Sequence, residues 1–239
     1  MTQQNSPDEG KKQDPKSEQK TDRIVELGSS VVTNRHGTIH CLTIIGQIEG
    51  HTNAPENAKT TKYEHLLPLL ASLEESDEVD GVLILLNTAG GDVEAGLALA
   101  EMIAGMTKPT ATLVLGGGHS IGIPLAVSGR INMIAPSASM TVHPVRMSGT
   151  MIAAPQTYRY FDKLQESIVR FVAAHSQIRA ETFRELMLRT DEMANDVGSV
   201  LYGEDAVALG LMQQVGTLKD ALAALYRAID EDKKQRDKN

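Results

Sequence analysis

A serine between glycines is the first candidate for chemistry in this chain. Residues 116–122 read GGGHSIG, and the stretch from Gly118 to Gly122 fits the pattern G-x-S-x-G. That pattern is typical of a sharp turn between a strand and a helix that exposes a serine hydroxyl as a nucleophile. Glycine-flanked serines also occur in ordinary turns. Ser120 therefore requires a base and a set of amide donors elsewhere in the chain.

His143 is the histidine best placed to act as that base. It ends the predicted strand 140–142 and precedes Pro144, which predicts a position at the carboxyl end of a strand. Catalytic groups of open α/β sheets collect at such ends. No Asp or Glu occurs from residue 121 to 142, so Ser120 and His143 cannot complete a triad in the order serine, acid, histidine of the α/β-hydrolases. His175 would have to share Asp162 or Glu166 within one predicted helix, which gives the acid no position at the edge of the sheet.

Paired glycines at the end of another predicted strand supply candidate amide donors. Gly90 and Gly91 follow the apolar run 81–87 and precede a helical segment. Glycines in such a turn let backbone N–H groups point into a cavity, as an oxyanion hole requires. Three strand ends thus offer a nucleophile, a base and amide donors.

The elements that must position these groups alternate between strand and helix. Continuous apolar runs predict buried strands, and apolar residues at intervals of three and four predict helices. The predicted strands are 38–46, 81–87, 110–115, 131–135, 140–142 and 200–203, and the predicted helices are 63–73, 93–106, 121–128, 155–176, 180–189 and 204–211. This alternation predicts an α/β protein with a largely parallel sheet covered by helices.

Composition narrows the class of protein. The 239 residues carry a net charge of −8, which argues against a nucleic-acid binder. The sequence contains no apolar run long enough to predict a transmembrane segment and no secretory signal. A single cysteine, Cys41, suits a reducing compartment, so a cytoplasmic protein is expected. Neither metal-ligand spacing nor a phosphate-binding loop occurs, so no cofactor and no metal are predicted.

The two ends of the chain differ from the middle. Residues 1–22 have no aliphatic or aromatic residue after Met1, and 230–239 read DEDKKQRDKN. Such segments cannot bury enough apolar surface to offset the entropy cost of ordering. We expect a disordered polar tail over 1–22, a single domain over 23–229 and a charged, solvated tail over 230–239.

Three motifs in order carry a resemblance to a known family. The first motif is GG-x-V-x-AG at Gly90–Gly96, the second is G-x-x-x-S-x-G at Gly116–Gly122, and the third is M-x-x-H-P at Met140–Pro144. This order resembles the ClpP class of serine peptidases, and the similarity extends from about Ile39 to Val215. The resemblance implies a ClpP/crotonase-like spiral of βαβ units with a helical handle over about 155–190. It also implies a homo-oligomer docked through that handle and a peptide or unfolded protein as substrate.

The resemblance also implies roles for particular residues. Ser120 would be the nucleophile, His143 the general base, and the backbone N–H groups of Gly91 and Ile121 the oxyanion hole. Counting back from Val200, the acid of the family falls on Gly198. Of the two nearby carboxylates, Asp196 is favoured over Asp191. Without an acid the site would be weak, because the loss of the triad aspartate in serine proteases costs about 10⁴ in rate.

Other functions on the same fold stay open at this point. One is a catalytically weak pseudo-peptidase that acts as an interaction protein in preprotein export. Another is a crotonase-fold acyl-CoA enzyme, which would use the amide pair as a clamp and carboxylates as acid and base. The charged tail, Gly117 and His119 look unlike the ATPase-coupled subunits of the class, so an ATPase partner is left open, with the ring size and the natural substrate.

Overall fold

A computed structural model describes residues 28–147, 153–192, 197–236 and 238. Within these residues the chain forms nine strands and seven helices. The strands are β1 Ser29–Asn34, β2 Gly37–Glu49, β3 Thr60–Lys62, β4 Gly81–Gly91, β5 Thr110–Gly118, β6 Ile131–Ile134, β7 Ser139–Val142, β8 Ser199–Tyr202 and β9 Gln214–Val215. The helices are α1 Tyr63–Glu75, α2 Val93–Ala104, α3 Gly122–Val127, α4 Ala154–His175, α5 Ala180–Leu188, α6 Gly203–Ala208 and α7 Leu218–Arg236.

The strands form one sheet in the order β1-β2-β4-β5-β6-β9. Strands β2, β4, β5, β6 and β9 are parallel, and β1 forms an antiparallel hairpin with β2. Beyond this path, β7 pairs with the end of β5 and runs antiparallel to β8. The predicted α/β class with a mostly parallel sheet is confirmed. Because β4, β5 and β7 end on the same side, their carboxyl ends lie close together.

Helices cover both faces of the sheet, as the continuous apolar runs of its strands require. On one face, helices α1 to α5 bury the larger core cluster, which includes Leu70, Leu99 and Phe183. On the other face, α7 packs on a smaller cluster of sheet side chains through Leu225 and Ile229. Both faces of the central strands are therefore excluded from water.

The expectation of a solvated tail over 230–239 is wrong for its first part, because α7 continues to Arg236. Two ion pairs hold this last part of α7, Lys233 with Asp80 at 3.0 Å and Arg130 with Asp232 at 3.0 Å. The buried Ile229 anchors the preceding turn. Charge density alone misleads here because the charged groups have partners on the sheet side. The tail predicted over 1–22 lies outside the described residues.

The predicted handle corresponds to α4 and α5. The first half of α4 is mostly exposed, with Tyr158 72 % exposed, whereas Val169 and Val172 in its second half are buried. Helix α5 then packs back against α4, joined by an ion pair of 2.7 Å from Arg184 to Glu166. The handle thus begins away from the core and ends beside the strand ends that carry the candidate site.

Candidate active site

Ser120 occupies a strained turn at the end of β5. Its φ is +56°, the one positive φ of a residue other than glycine among the described residues. Such a backbone costs about 1–3 kcal/mol and persists only where surrounding contacts enforce it. One of those contacts is the Ser120 N–H, which donates to the Thr141 carbonyl of β7 at 2.9 Å. The turn therefore has the geometry that presents a serine nucleophile.

The glycines of the upstream motif are needed for close packing against this turn. A Cβ at Gly90 would lie 2.7 Å from the Ser120 Cβ, and Gly90 itself has a φ of +90°. A Cβ at Gly96, on α2, would overlap the side chain of Ile121. Both glycines thus let the end of β4 and the start of α2 approach the serine turn, which explains two positions of the motif in physical terms.

A cavity of about 120 Å³ opens beside Ser120 and brings the predicted site residues together. Ser120, His143, Gly91 and Ile121 all line it. The remaining walls are mostly apolar side chains from the strand ends, the neighbouring helices and the handle: Val93, Ile123, Val142, Val145, Ile168, Phe183 and Met187. The cavity is the size of about four water molecules, which is enough for one aliphatic side chain of a substrate.

The candidate amide donors line the same cavity as Ser120. The N–H of Gly122 donates to His119 O at 2.8 Å and that of Ile123 to Ser120 O at 3.0 Å. The N–H of Ile121, which directly follows Ser120, has no acceptor among the described residues. An N–H left over at the rim of a cavity is available to a developing oxyanion. Gly91 lines the same cavity, as the prediction of an amide pair requires.

His143 is oriented by a backbone carbonyl. Its Nδ1 lies 2.7 Å from the carbonyl oxygen of Pro144. A carbonyl only accepts hydrogen bonds, so in the neutral imidazole the proton is on Nδ1 and the lone pair is on Nε2. That tautomer is the one a general base needs. The described residues include no hydrogen bond between the Ser120 hydroxyl and His143, so the two groups share the cavity without being joined.

The position counted as the family acid lies against His143. A Cβ on Gly198 would be 2.9 Å from the His143 Cβ and would overlap the Val142 carbonyl oxygen. With a φ of +136°, this position favours glycine and offers no carboxylate. Asp191 is exposed, and within the described residues no hydrogen bond or ion pair joins it to His143. Asp196, the favoured acid, lies outside the described residues.

His119, beside the candidate nucleophile, is not among the residues that line the cavity. Its Nδ1 lies 2.9 Å from the Thr141 hydroxyl, and its ring packs on Gly117. Burial lowers the pKa of His119, and the nearby His143 lowers it further. A neutral imidazole at this position links the serine turn to β7 without adding a charge.

Sequence reasoning missed the contribution of the handle to the cavity. Phe183 and Met187 of α5 and Ile168 of α4 form one wall. Their helical spacing showed that they are buried, but only the docking of the handle determines what they face. The Pro144 carbonyl was also missed, although the dipeptide His-Pro carried a hint, because proline restricts the backbone that follows the histidine.

Comparison with known proteins decides the family. A family model described as Clp protease matches residues 37–219. The chain belongs to the Clp protease family. The translocation-enhancing protein TepA of Halalkalibacterium halodurans is 50% identical over 211 residues, covering 88% of this chain and 82% of that protein. The ATP-dependent Clp protease proteolytic subunit of Streptococcus gordonii is 27% identical over 135 residues, covering 52% of this chain and 68% of that protein.

A putative protease of Methanocaldococcus jannaschii is 25% identical over 202 residues, covering 72% of this chain and 62% of that protein. Among the helices that the structure describes in this Clp protease family member, none combines the length and the apolar character needed to cross a bilayer. The described residues also contain no group of three His, Cys, Asp or Glu side chains suited to a metal ion.

Proposed function

We propose that this member of the Clp protease family is a cytoplasmic serine endopeptidase that cleaves peptides or unfolded segments. The observation that carries the proposal is the shared cavity of Ser120 and His143, with Ser120 on a strained turn and Nε2 of His143 left as an acceptor. A strained backbone at a cavity is maintained against a free-energy cost, and such cost is concentrated at functional sites.

The proposed reaction proceeds through an acyl-enzyme. Nε2 of His143 takes the proton of the Ser120 hydroxyl as its oxygen attacks the scissile carbonyl carbon. The N–H groups of Gly91 and Ile121 stabilise the oxyanion that forms. His143 then returns the proton to the leaving amine, and the C–N bond breaks. Water attacks the ester by the same route in reverse, which releases the acid and restores Ser120.

The proposed acid of the triad is Asp196, with Asp191 as the alternative. The Pro144 carbonyl fixes the tautomer of His143 but, being neutral, stabilises an imidazolium less than a carboxylate does. Loss of activity in Asp196→Asn by about 100-fold or more, with Asp191→Asn near wild type, would support the triad. Equal activity in both variants and the wild type would mean that the Pro144 carbonyl suffices.

Covalent labelling with a fluorophosphonate tests the proposal, because the reagent reacts with activated serines. The wild-type protein should be labelled, Ser120→Ala should not, and Ser167→Ala should behave as the wild type. Ser167 is a matched control because its hydroxyl donates to the Lys163 carbonyl and accepts from Arg170, both on α4, and it does not line the cavity. A folded wild-type protein that resists labelling, or a label that persists in Ser120→Ala, would contradict the proposal.

A second candidate is a pseudo-peptidase that assists preprotein translocation through binding. Two observations favour it: the glycine at position 198 and the unjoined Ser120 and His143. The relative from H. halodurans is named a translocation-enhancing protein. Secretion of a reporter preprotein in cells that carry Ser120→Ala distinguishes the candidates. Wild-type secretion would favour the pseudo-peptidase, and loss of secretion the peptidase.

We also propose that copies of the chain associate through the handle. Support comes from the exposed first half of α4, where Tyr158 and Tyr160 are 72 % and 50 % exposed. Exposed aromatic side chains on an amphipathic helix are typical of an interface. Sedimentation of the wild type should show a species larger than one chain. Tyr158→Ser should contain less of that species, because the substitution weakens the association. The proposal does not include an ATPase partner.

A further inference from the structure

A buried threonine lies where β4 shifts its register against the strands on both sides. Thr88 is 1 % exposed. Toward β2, Thr88 pairs with Gly46, and the next pair along the strands joins Gly90 to Gln47. Ala89 is therefore the extra residue of a β-bulge, and the register toward β5 shifts at the same place. Bulges bend the strand that carries them and redirect the residues that follow.

The Thr88 hydroxyl bridges this bulge. It accepts a hydrogen bond from the Gly90 N–H at 3.0 Å and donates one to the Gly46 carbonyl at 2.6 Å. A bulge interrupts the ladder between strands, so buried backbone groups beside it need other partners. A hydroxyl serves as donor and acceptor at once, whereas a valine of the same shape would do neither. The side chain therefore fastens the glycine turn of β4 to β2.

The same residue contacts the serine turn on both sides of Ser120. Its carbonyl accepts from the His119 N–H at 3.1 Å. Its methyl group faces the start of α3, since a Cβ at Gly122 would lie 2.7 Å from it. Gly91 follows three residues after Thr88 and lines the cavity together with Ser120. Thr88 thus joins the strand that carries one proposed amide donor to the turn that carries the nucleophile.

We propose that Thr88 is a positioning residue that holds the amide donor of Gly91 in place against Ser120. Amide donors stabilise an oxyanion only when they are already aimed at the position where the charge develops. A displacement of about 1 Å at such a site lowers the rate by about 100-fold. The proposal rests on the proposed function, because it concerns the oxyanion donors of the same site.

The first test compares the kinetics of fluorophosphonate labelling in Thr88→Val and Thr88→Ser. A series of reagent concentrations gives the maximal labelling rate and the concentration at half of that rate. Thr88→Val should lower the maximal rate by about 10- to 100-fold with the half-saturating concentration unchanged, because the donors act on the developing charge rather than on reagent binding. Thr88→Ser keeps the hydroxyl and should restore most of the rate.

Thr112→Val is the matched control for a loss of stability. Thr112 is also buried, and its hydroxyl donates to the Ala126 carbonyl at 2.5 Å, but it does not line the cavity. Its valine variant also loses a buried hydrogen bond, so its melting temperature should fall to a similar extent. It should nevertheless be labelled at the wild-type rate. A merely structural role of Thr88 predicts that both valine variants are labelled alike.

Amide hydrogen exchange gives a second measurement that needs no activity. Without its acceptor, the Gly90 N–H should exchange roughly tenfold faster in Thr88→Val than in the wild type or in Thr112→Val. Mass spectrometry of the segment 88–92 would measure the exchange.

Three results would overturn the proposal: wild-type labelling of Thr88→Val, a loss of labelling that Thr112→Val shares, or unchanged exchange at Gly90. Failure of the proposed function has a different signature, namely a folded wild type that is not labelled at all. In that case the exchange still decides whether Thr88 holds this turn in place.

Discussion

The two halves of the candidate site are built in different ways. On the nucleophile side, Ser120 sits in a strained turn, and Gly90 and Gly96 pack on it so closely that a methyl group at either position would clash. On the base side, His143 is held by the backbone carbonyl of the next residue, and the position expected to carry the acid is Gly198. One half matches the family motifs closely, whereas the other has a backbone carbonyl as the described hydrogen-bond partner of its imidazole.

The nucleophile half would govern the attack on the carbonyl carbon, and the base half would govern the proton transfer to and from His143. Strain and close packing keep the serine hydroxyl and the amide donors in place before any substrate binds. A carbonyl still selects the correct tautomer of His143, but it gives less stabilisation to the charge that the imidazole acquires during the reaction. Without a carboxylate from Asp196, we therefore expect a reactive serine with slow turnover.

The nucleophile half should tolerate an added methyl group less well than the base half, and Gly90→Ala tests it with the largest effect expected of the glycine substitutions. The new Cβ would meet the Ser120 Cβ at 2.7 Å on a backbone with a φ of +90°. We expect a loss of about 2–4 kcal/mol in the free energy of unfolding and at least about 100-fold slower labelling of Ser120.

Denaturant unfolding and labelling kinetics measure the two effects of Gly90→Ala. Gly105→Ala is the control, because Gly105 ends α2 with an ordinary φ of −79°. It should stay within about 0.5 kcal/mol of the wild type. Similar behaviour of the two variants would remove the argument that Gly90 is needed at the serine turn.

The base half is tested by Gly198→Ala, for which we expect an intermediate effect. The added Cβ would press on His143 and on the Val142 carbonyl, and the φ of +136° disfavours alanine. A displaced imidazole should slow labelling of Ser120 by about tenfold, with about 1–3 kcal/mol lost from the free energy of unfolding.

Gly210→Ala controls for the loss of stability in that experiment. Gly210 also has a positive φ, +75°, and packs closely on Gln177, whereas the cavity is lined by other residues. Its alanine variant should be destabilised to a similar extent but labelled at the wild-type rate. If both variants lose labelling equally, the effect of Gly198→Ala reflects stability alone.

The smallest expected effect is on the pH dependence of stability, and it concerns His119, which contacts Thr141 of β7. Burial, and secondly His143, lower the pKa of His119 below its ordinary value of 6.5. The unfolded chain then binds a proton more readily than the folded one, so stability is full above pH 6.5 and falls as the pH drops through the lower pKa. His119→Gln should therefore lose less stability than the wild type on acidification.

The measurement compares the melting temperature at about pH 7.5 and about pH 5.5, a window in which histidines rather than carboxylates titrate. His65→Gln, on the exposed surface of α1, serves as the control, and its melting temperature should change with pH as that of the wild type does. If the melting temperature of His119→Gln fell as much as that of the wild type between these pH values, protonation of His119 would not contribute to the loss of stability.

The sequence predicted the nucleophile half more completely than the base half. Glycine spacing and the apolar run before Ser120 are local signals, and the turn that they predict depends on few distant contacts. The count that assigned the family acid to Gly198 also pointed to a residue beside His143. Whether Asp196 completes a triad stays a prediction.

Features that depend on distant contacts could not be predicted. The cavity wall of Phe183 and Met187 exists because α5 folds back onto the strand ends, and helical spacing does not report on that. The prediction of a tail over the last turns of α7 is wrong because their ion-pair partners, Asp80 and Arg130, lie more than a hundred residues upstream. Composition cannot reveal such pairings.

The central claim is that His143 activates Ser120, and the rate of fluorophosphonate labelling at Ser120 in His143→Ala tests it most directly. Mass spectrometry would locate the label, with His65→Ala as the control on the exposed surface of α1. Removal of a general base should slow labelling by about 10²–10⁴, while His65→Ala should react as fast as the wild type. Labelling of Ser120 at the wild-type rate in a folded His143→Ala protein would contradict the account.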